Sequence, residues 1–163
     1  DGKGAEGAAG RRLNLTEIIN KEANRLVRRA QAKRIRLVKD IIDEDVFVMK
    51  NEYGDASEHL QETVIKEAIH NSIKYTPEGG TITISLNLED RGEGLGMEAV
   101  FSVKDTGIGF ATGEEEKIWD LDYRTKEAHE MADGTGLGLS AMRSLLAYGF
   151  RGRVTLESEG KDK

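Results

Sequence analysis

The sequence predicts a single domain of the α/β (α+β) class, and three observations lead there. Its 163 residues suffice for one well-packed core and would crowd two. Leu15, Ile18, Ile19, Leu26, Val27 and Ala30 keep the 3.6-residue period of an amphipathic helix. Thr81 to Leu88 alternates with a period of two, as a half-buried strand does, and Met97 to Lys104 returns as its neighbour.

Composition narrows the function classes. The chain carries 24 basic and 30 acidic residues, a formal charge of -6, which argues against a surface that wraps nucleic acid. It has no cysteine, so disulfides and thiolate metal sites are excluded. No apolar run approaches the ~20 residues of a membrane span, so no membrane contact by this chain is expected. The 19 glycines cluster near 79–80, 92–96, 107–113 and 134–138, as well as at the N-terminus.

In chain order, residues 1–12 begin with a Gly/Ala-rich run and read as a flexible lead-in, and residues 13–163 as the folded domain. Asn14 and Glu17 form a capping pair for the first helix, whose outer face carries Lys21, Arg25, Arg28 and Arg29. Arg36 to Ile42 and Val46 to Met49 look like two strands about the turn Asp43-Glu44-Asp45. Asp55, with Glu58 three residues on, caps a second helix that runs to Tyr75 and is stopped by Pro77 and Gly79-Gly80. The close spacing of the next two strands predicts an antiparallel hairpin. A short helix over Glu114–Leu121 follows, then a polar lid over 122–133. A last helix bears Leu139, Met142, Leu145 and Leu146 and stops at Gly149, and Gly152–Ser158 reads as a closing strand.

Two stretches carry chemistry. In EAIHNSIKY, residues 67–75, helical spacing puts Glu67, Asn71 and Lys74 on one face, with Tyr75 beside them. A carboxylate, an amide oxygen and an ammonium in line suit a metal-bound polyphosphate, although a solvated helix face has the same composition. In VKDTGIGF, residues 103–110, Asp105 ends a strand, and Gly107 and Gly109 let the backbone approach a ligand. A buried carboxylate there can accept a hydrogen bond from an exocyclic amine such as adenine N6; a plain strand-to-loop turn has the same spelling.

Further on, Arg124 and Lys126 are the cations of the lid, equally at home on a solvated loop. Gly134, Gly136 and Gly138 open the last helix, where unpaired N–H groups and the positive dipole end attract phosphate. A dinucleotide-binding Gly-x-Gly loop is ruled out by context, because a lid and not a strand precedes it.

The order EAIHNSIKYT, VKDTGIGF, IWDLDYRTKEA, GTGLGLS and RGRVTLESEG resembles the ATP-binding catalytic domain of sensor histidine kinases. That domain shares a superfamily (GHKL) with gyrase, heat-shock chaperone ATPases and mismatch-repair ATPases, and the resemblance covers residues 13–160. It implies a two-layer sandwich, the Bergerat ATP-binding fold, with three main helices on one face of a mixed sheet. It implies ATP or ADP with Mg²⁺ as the ligands, Asn71 holding the metal and Glu67 assisting through water or proton removal. Lys74 and Arg124 then act on phosphate, Tyr75 borders the nucleotide, and Asp105 reads adenine beside Gly107, Ile108 and Gly109. Thr125 and Lys126 from the lid, and Gly134, Thr135, Gly136, Leu137, Gly138 and Leu139 at the last helix, complete the nucleotide contacts.

The activity implied is transfer of the ATP γ-phosphoryl group to a histidine on a separate helical dimerisation domain of the same protein, with a response regulator downstream. The resemblance implies a monomeric domain in the cytoplasm, with an inner-membrane anchor elsewhere in the full-length protein allowed. Three features depart from the family. His59, His70 and His129 lack the phosphoacceptor context; Asp122 stands where an aromatic residue is usual; and the chain ends before the last glycine box and final strand. A GHKL ATPase without kinase activity, and a nucleotide-gated module of the anti-sigma kind, are the alternatives.

Overall fold

In the computed structural model, which describes residues 12–49, 59–111, 113–114, 116–120 and 138–158, a short strand β1 (Arg12–Asn14) leads directly into helix α1 (Leu15–Ala32). The Asn14 side-chain oxygen accepts from the Glu17 N–H at 3.1 Å, satisfying a donor that the helix start leaves open. Leu15, Ile19, Ala23, Leu26 and Ala30 are buried, while Lys21, Arg25, Arg28 and Arg29 face water. The helix ends where Arg34 turns left-handed (φ 56) and the Ile35 N–H reaches back to the Ala30 carbonyl.

Strand β2 (Arg36–Ile41) does not pair with β3 (Phe47–Met49) as the turn between them suggested. It runs parallel to β4 (Thr81–Asp90), from Arg36 opposite Thr81 to Ile41 opposite Leu86. β3 joins β1 in a separate two-stranded antiparallel sheet. The reason lies at the start of α1. Thr16 Oγ1 donates to the Glu44 carbonyl and accepts from the Val46 N–H, each at 2.9 Å, and the Leu15 N–H donates to the Val46 carbonyl. These bonds draw the chain after β2 away from its own sheet.

The cap residues Asp55 and Glu58 lie outside the described residues. What is described of the second helix is not uniform: Leu60–Lys66 is π-helical, and α2 (Glu67–Tyr75) continues it as an ordinary α-helix. Leu60, Val64 and Ile65 of the π-helical turn are buried. Thr76 leaves the helix with extended backbone (ψ 124), as the residue before a proline must.

The β4 alternation is clean, with Ile82, Ile84 and Leu86 fully buried. β5 (Met97–Asp105) pairs antiparallel with β4 over its whole length, as the hairpin reading expected. On the opposite face the Ser85 and Ser102 hydroxyls meet at 2.6 Å. The sheet order β2-β4-β5, one parallel and one antiparallel pairing, makes it mixed.

The short helix foreseen over Glu114–Leu121 is only a 3-10 turn, Lys117–Trp119, among the described residues. Helix α3 (Gly138–Phe150) runs past Gly149; Arg151 takes the left-handed conformation (φ 51), and the Gly152 N–H donates to the Leu146 carbonyl. Gly152–Ser158 forms no strand. It is tied instead by side chains, Arg153 to Glu98 at 3.0 Å and the Phe110 N–H to Ser158 Oγ at 3.2 Å.

Apolar residues of α1, the π-helical turn, α2 and β4 join Met142 of α3 in one core, the expected two-layer arrangement of helices on a mixed sheet. Among the described residues no helix is long and apolar enough to cross a membrane. The first two helices also share a buried carboxylate. Glu22 is fully enclosed; its Oε1 accepts from Gln61 Nε2 at 2.5 Å and lies 3.6 Å from Arg25, while Oε2 has no hydrogen-bond partner among the described residues. Removing a partner from a buried charge costs more than removing the charge itself. Gln61→Leu should therefore lower stability by about 3 kcal/mol, and Glu22→Met by clearly less, in urea unfolding followed by circular dichroism.

Candidate functional site

The C-terminal end of α2 and the end of β5 lie side by side because β5 is in register with β4, placing Asp105 opposite Ile82 just after the turn that closes α2. Asp105 is held from both sides. Ser72 Oγ, nearly buried on α2, donates to Asp105 Oδ2 at 3.0 Å, and the Gly107 N–H donates to Oδ1 at 2.8 Å. A carboxylate oxygen has two lone pairs, so each Asp105 oxygen keeps acceptor capacity for a ligand donor. Asp105 is exposed and not buried as the sequence reading had it, because it sits at the rim where β5 ends.

The glycines after Asp105 have separate physical causes. Gly107 has no room for a side chain: a Cβ there would meet the Tyr75 carbonyl oxygen and Asp105 Oδ1, each at 2.7 Å. The next residue, Ile108, donates its N–H to that same Tyr75 carbonyl at 3.1 Å. Gly109 has φ 62, the left-handed region that glycine adopts without penalty. Strand end and helix end are thus joined through one carbonyl. Thr76, next in sequence, is fully buried with its hydroxyl unpartnered among the described residues.

Along α2, Glu67, Asn71 and Lys74 are half-buried. The start of α3 packs directly on Glu67, since a Cβ on Gly138 would fall 2.7 Å from Glu67 Oε2. Glu67 therefore stands at the helix end whose dipole favours anions. Lys74 Nζ lies over the Tyr75 ring, 5.2 Å from its centroid. His70, between these residues in sequence, has its pKa lowered from 6.5, first by desolvation and then by Arg29, with Glu67 opposing and Lys74 and Lys66 adding smaller downward shifts. Burial and the surrounding cations thus favour its neutral form.

The structure brings together Glu67, Asn71, Lys74 and Tyr75 on α2, Asp105 at the end of β5 with Gly107, Ile108 and Gly109 after it, and Gly138 at the start of α3, while Leu139 packs against the core. Arg124, Thr125, Lys126, Gly134, Thr135, Gly136 and Leu137, with the lid and Asp122, lie outside the described residues. Helical periodicity sets Ser72 off the face shared by Glu67, Asn71 and Lys74. Only the strand register, which no local pattern encodes, reveals that its hydroxyl faces Asp105.

A metal here would have few protein ligands. Among the described residues no group of three or more His, Asp or Glu side chains converges into a cage. The Asn71 amide and the Glu67 carboxylate are hard oxygen donors one helical turn apart. That set fits Mg²⁺, which is commonly held by one or two side chains with waters and substrate phosphates.

Comparison with known proteins gives a consistent picture. Residues 56–163 match the family described as histidine kinase-, DNA gyrase B-, and HSP90-like ATPase. The chain is 35% identical over 130 residues to the sensor histidine kinase Hik2 of Synechocystis sp., covering 79% of this chain and 28% of that protein. It is 32% identical over 130 residues to the sensor histidine kinase WalK of Bacillus subtilis, covering 78% of this chain and 19% of WalK. The chain thus spans under a third of these curated relatives. The fold is that of the mycobacterial sensor histidine kinase MprB (TM-score 0.64, 23% identity, 83% of this chain and 76% of that one). It is also that of the histidine kinase ThkA in a complex with the response regulator TrrA (TM-score 0.68, 19% identity, 92% and 38%).

The two crowded glycines should respond differently to a methyl group. Gly107→Ala drives a Cβ into backbone that is itself hydrogen-bonded, so it should cost about 1–3 kcal/mol. At Gly138 the obstacle is the end of a flexible side chain, and alanine is a better helix former, so Gly138→Ala should change stability by less than about 1 kcal/mol. Thermal unfolding of the two variants checks the contrast.

Proposed function

The chain belongs to the histidine kinase-, DNA gyrase B-, and HSP90-like ATPase family, and from that premise we propose that it is the ATP-binding catalytic unit of a sensor histidine kinase. The observation that carries this reading is the Asp105 carboxylate, fixed by Ser72 and Gly107 at the end of α2 with acceptor capacity to spare. In this reading Asp105 accepts the adenine N6 amine. Gly107 and Gly109 shape the floor of the pocket, and the Tyr75 side chain borders the nucleotide. Glycine at 107 is required in any case, since a Cβ would collide with the Tyr75 carbonyl.

The phosphate end follows along the same helix. The Asn71 amide oxygen and, through water, the Glu67 carboxylate are the donors that would hold Mg²⁺, and Lys74 swings from the Tyr75 ring toward phosphate. Mg²⁺, when bound, neutralises phosphate oxygens and so lowers the barrier to γ-phosphoryl transfer. Arg124, Thr125 and Lys126 of the lid, and Gly134, Thr135, Gly136, Leu137, Gly138 and Leu139 at the last helix, enclose the triphosphate in this reading. The chain supplies position and charge and no covalent nucleophile, in keeping with how phosphoryl transfer is catalysed.

The acceptor is a histidine on a helical domain elsewhere in the full-length protein, and a response regulator receives the group afterwards. His59 and His70 lack the phosphoacceptor sequence context and are not that acceptor in this reading. The reaction proposed is cytoplasmic, on the side of the cell where ATP is found.

Asp105→Asn turns an acceptor into a donor against N6 and should weaken ATP binding by about tenfold or more in titration calorimetry. Asn71→Ala should leave adenosine binding unchanged but reduce Mg²⁺-dependent transfer to a supplied phosphoacceptor domain by roughly 10- to 100-fold. Unchanged transfer by Asn71→Ala would contradict the assignment. Steady phosphate release without transfer, lost in Glu67→Ala, would move the protein to the ATPase reading.

A further inference from the structure

Lys33 lies just past the end of α1, remote in sequence from every motif of the site, yet its ammonium reaches the helix that carries the site. Lys33 Nζ donates to the Ile73 and Lys74 carbonyls, each at 2.9 Å. These are last-turn carbonyls of α2, which lack partners within their own helix and form its negative dipole end. A half-buried cation there meets both needs at once.

The residues after Lys33 extend the same grip. Arg34 accepts at its carbonyl from the Gly79 N–H at 3.1 Å, and its guanidinium pairs with Glu78 at 2.8 Å. The Arg36 N–H donates to the Gly80 carbonyl at 2.9 Å. The segment so held, 73–80, contains Tyr75, whose carbonyl receives the Ile108 N–H and limits the space at Gly107. A change in the tilt of the last turn of α2 therefore reaches the backbone beside Asp105 through a single hydrogen bond.

We propose that Lys33 is a positioning residue for the adenine end of the nucleotide site, acting through the Ile73, Lys74 and Tyr75 carbonyls without touching the ligand. The inference rests on the assignment of Asp105 and Gly107 to adenine. The surface pair Arg34–Glu78 is a weaker contributor, because both side chains are exposed and water screens them. Glu67 lies about 1.7 turns from Ile73 and packs against the start of α3 at Gly138, so the phosphate end of α2 has a brace of its own.

The test compares wild type, Lys33→Met and Lys33→Arg by titration calorimetry with ATP, adenosine and Mg²⁺–inorganic triphosphate as separate ligands. Lys33→Met keeps the length of the side chain and loses the donor. It should weaken ATP and adenosine binding by the same factor, roughly three- to tenfold, and leave inorganic triphosphate within twofold. Lys33→Arg, which retains a cationic donor, should restore adenosine binding to within about twofold of wild type.

A folded Lys33→Met that binds adenosine like wild type would overturn the inference. So would a parallel loss of adenosine and triphosphate affinity, or an arginine variant no better than methionine. If Lys33→Met does not fold, Lys33→Gln takes its place, with one weaker donor and an intermediate loss confined to adenosine and ATP. Failure of wild type itself to bind adenosine, or an Asp105→Asn variant that binds it normally, would instead overturn the adenine assignment, and the inference with it.

Discussion

The carbonyl of Tyr75 is the point on which the site depends. It closes α2, receives the Ile108 N–H from the loop after β5, and stands 2.7 Å from where a Cβ of Gly107 would lie. Helix and sheet are separate layers, and here, through Ile108 N–H to the Tyr75 carbonyl, backbone of one binds backbone that follows the other. With Ser72 to Asp105 as the side-chain counterpart, the junction fixes a carboxylate in direction before any ligand arrives. Orientation prepared during folding need not be supplied during binding, so less of the binding free energy is consumed in ordering the site.

The rest of the fold serves that junction. β2 runs parallel to β4, a pairing that positions the end of α1 against the end of α2. The buried side chains of β4, Ile82, Ile84 and Leu86, anchor the middle strand, and β5 is carried in register to Asp105. At the other end of the helix layer, Glu22 and Gln61 couple α1 to the π-helical turn ahead of α2. A fully buried carboxylate with one oxygen unpartnered among the described residues is a poor source of stability. Its partner Gln61 lies on a π-helical turn, a departure from regular helix that is frequent at functional sites.

Much of this was legible in the sequence, for physical reasons that can be named. The Asn14 cap, the β4 alternation and the β4–β5 hairpin are local signals, and each formed as its residues dictated. The Glu67–Tyr75 helix and the Asp105 turn were placed by motif, and the fold brings them together. What failed was mostly non-local. Strands β2 and β3 separated because Thr16, on α1, takes hold of Glu44 and Val46. The exposure of Asp105, the role of Ser72 and the reach of Lys33 all depend on the register of the sheet. No spacing in the sequence encodes them. The π-helical turn carries no compositional mark, and Arg151 ends α3 where Gly149 was the better residue for the task.

Amide hydrogen exchange at Gly107 and Ile108, measured residue by residue in protein without nucleotide, tests the central claim of a prepared junction most directly. If the Tyr75 carbonyl and the Asp105 carboxylate hold these amides as described, both should exchange at least roughly a thousandfold more slowly than free peptide. Exchange at free-peptide rates, with protection gained only when ATP is added, would mean that the ligand builds the junction, and would contradict the account.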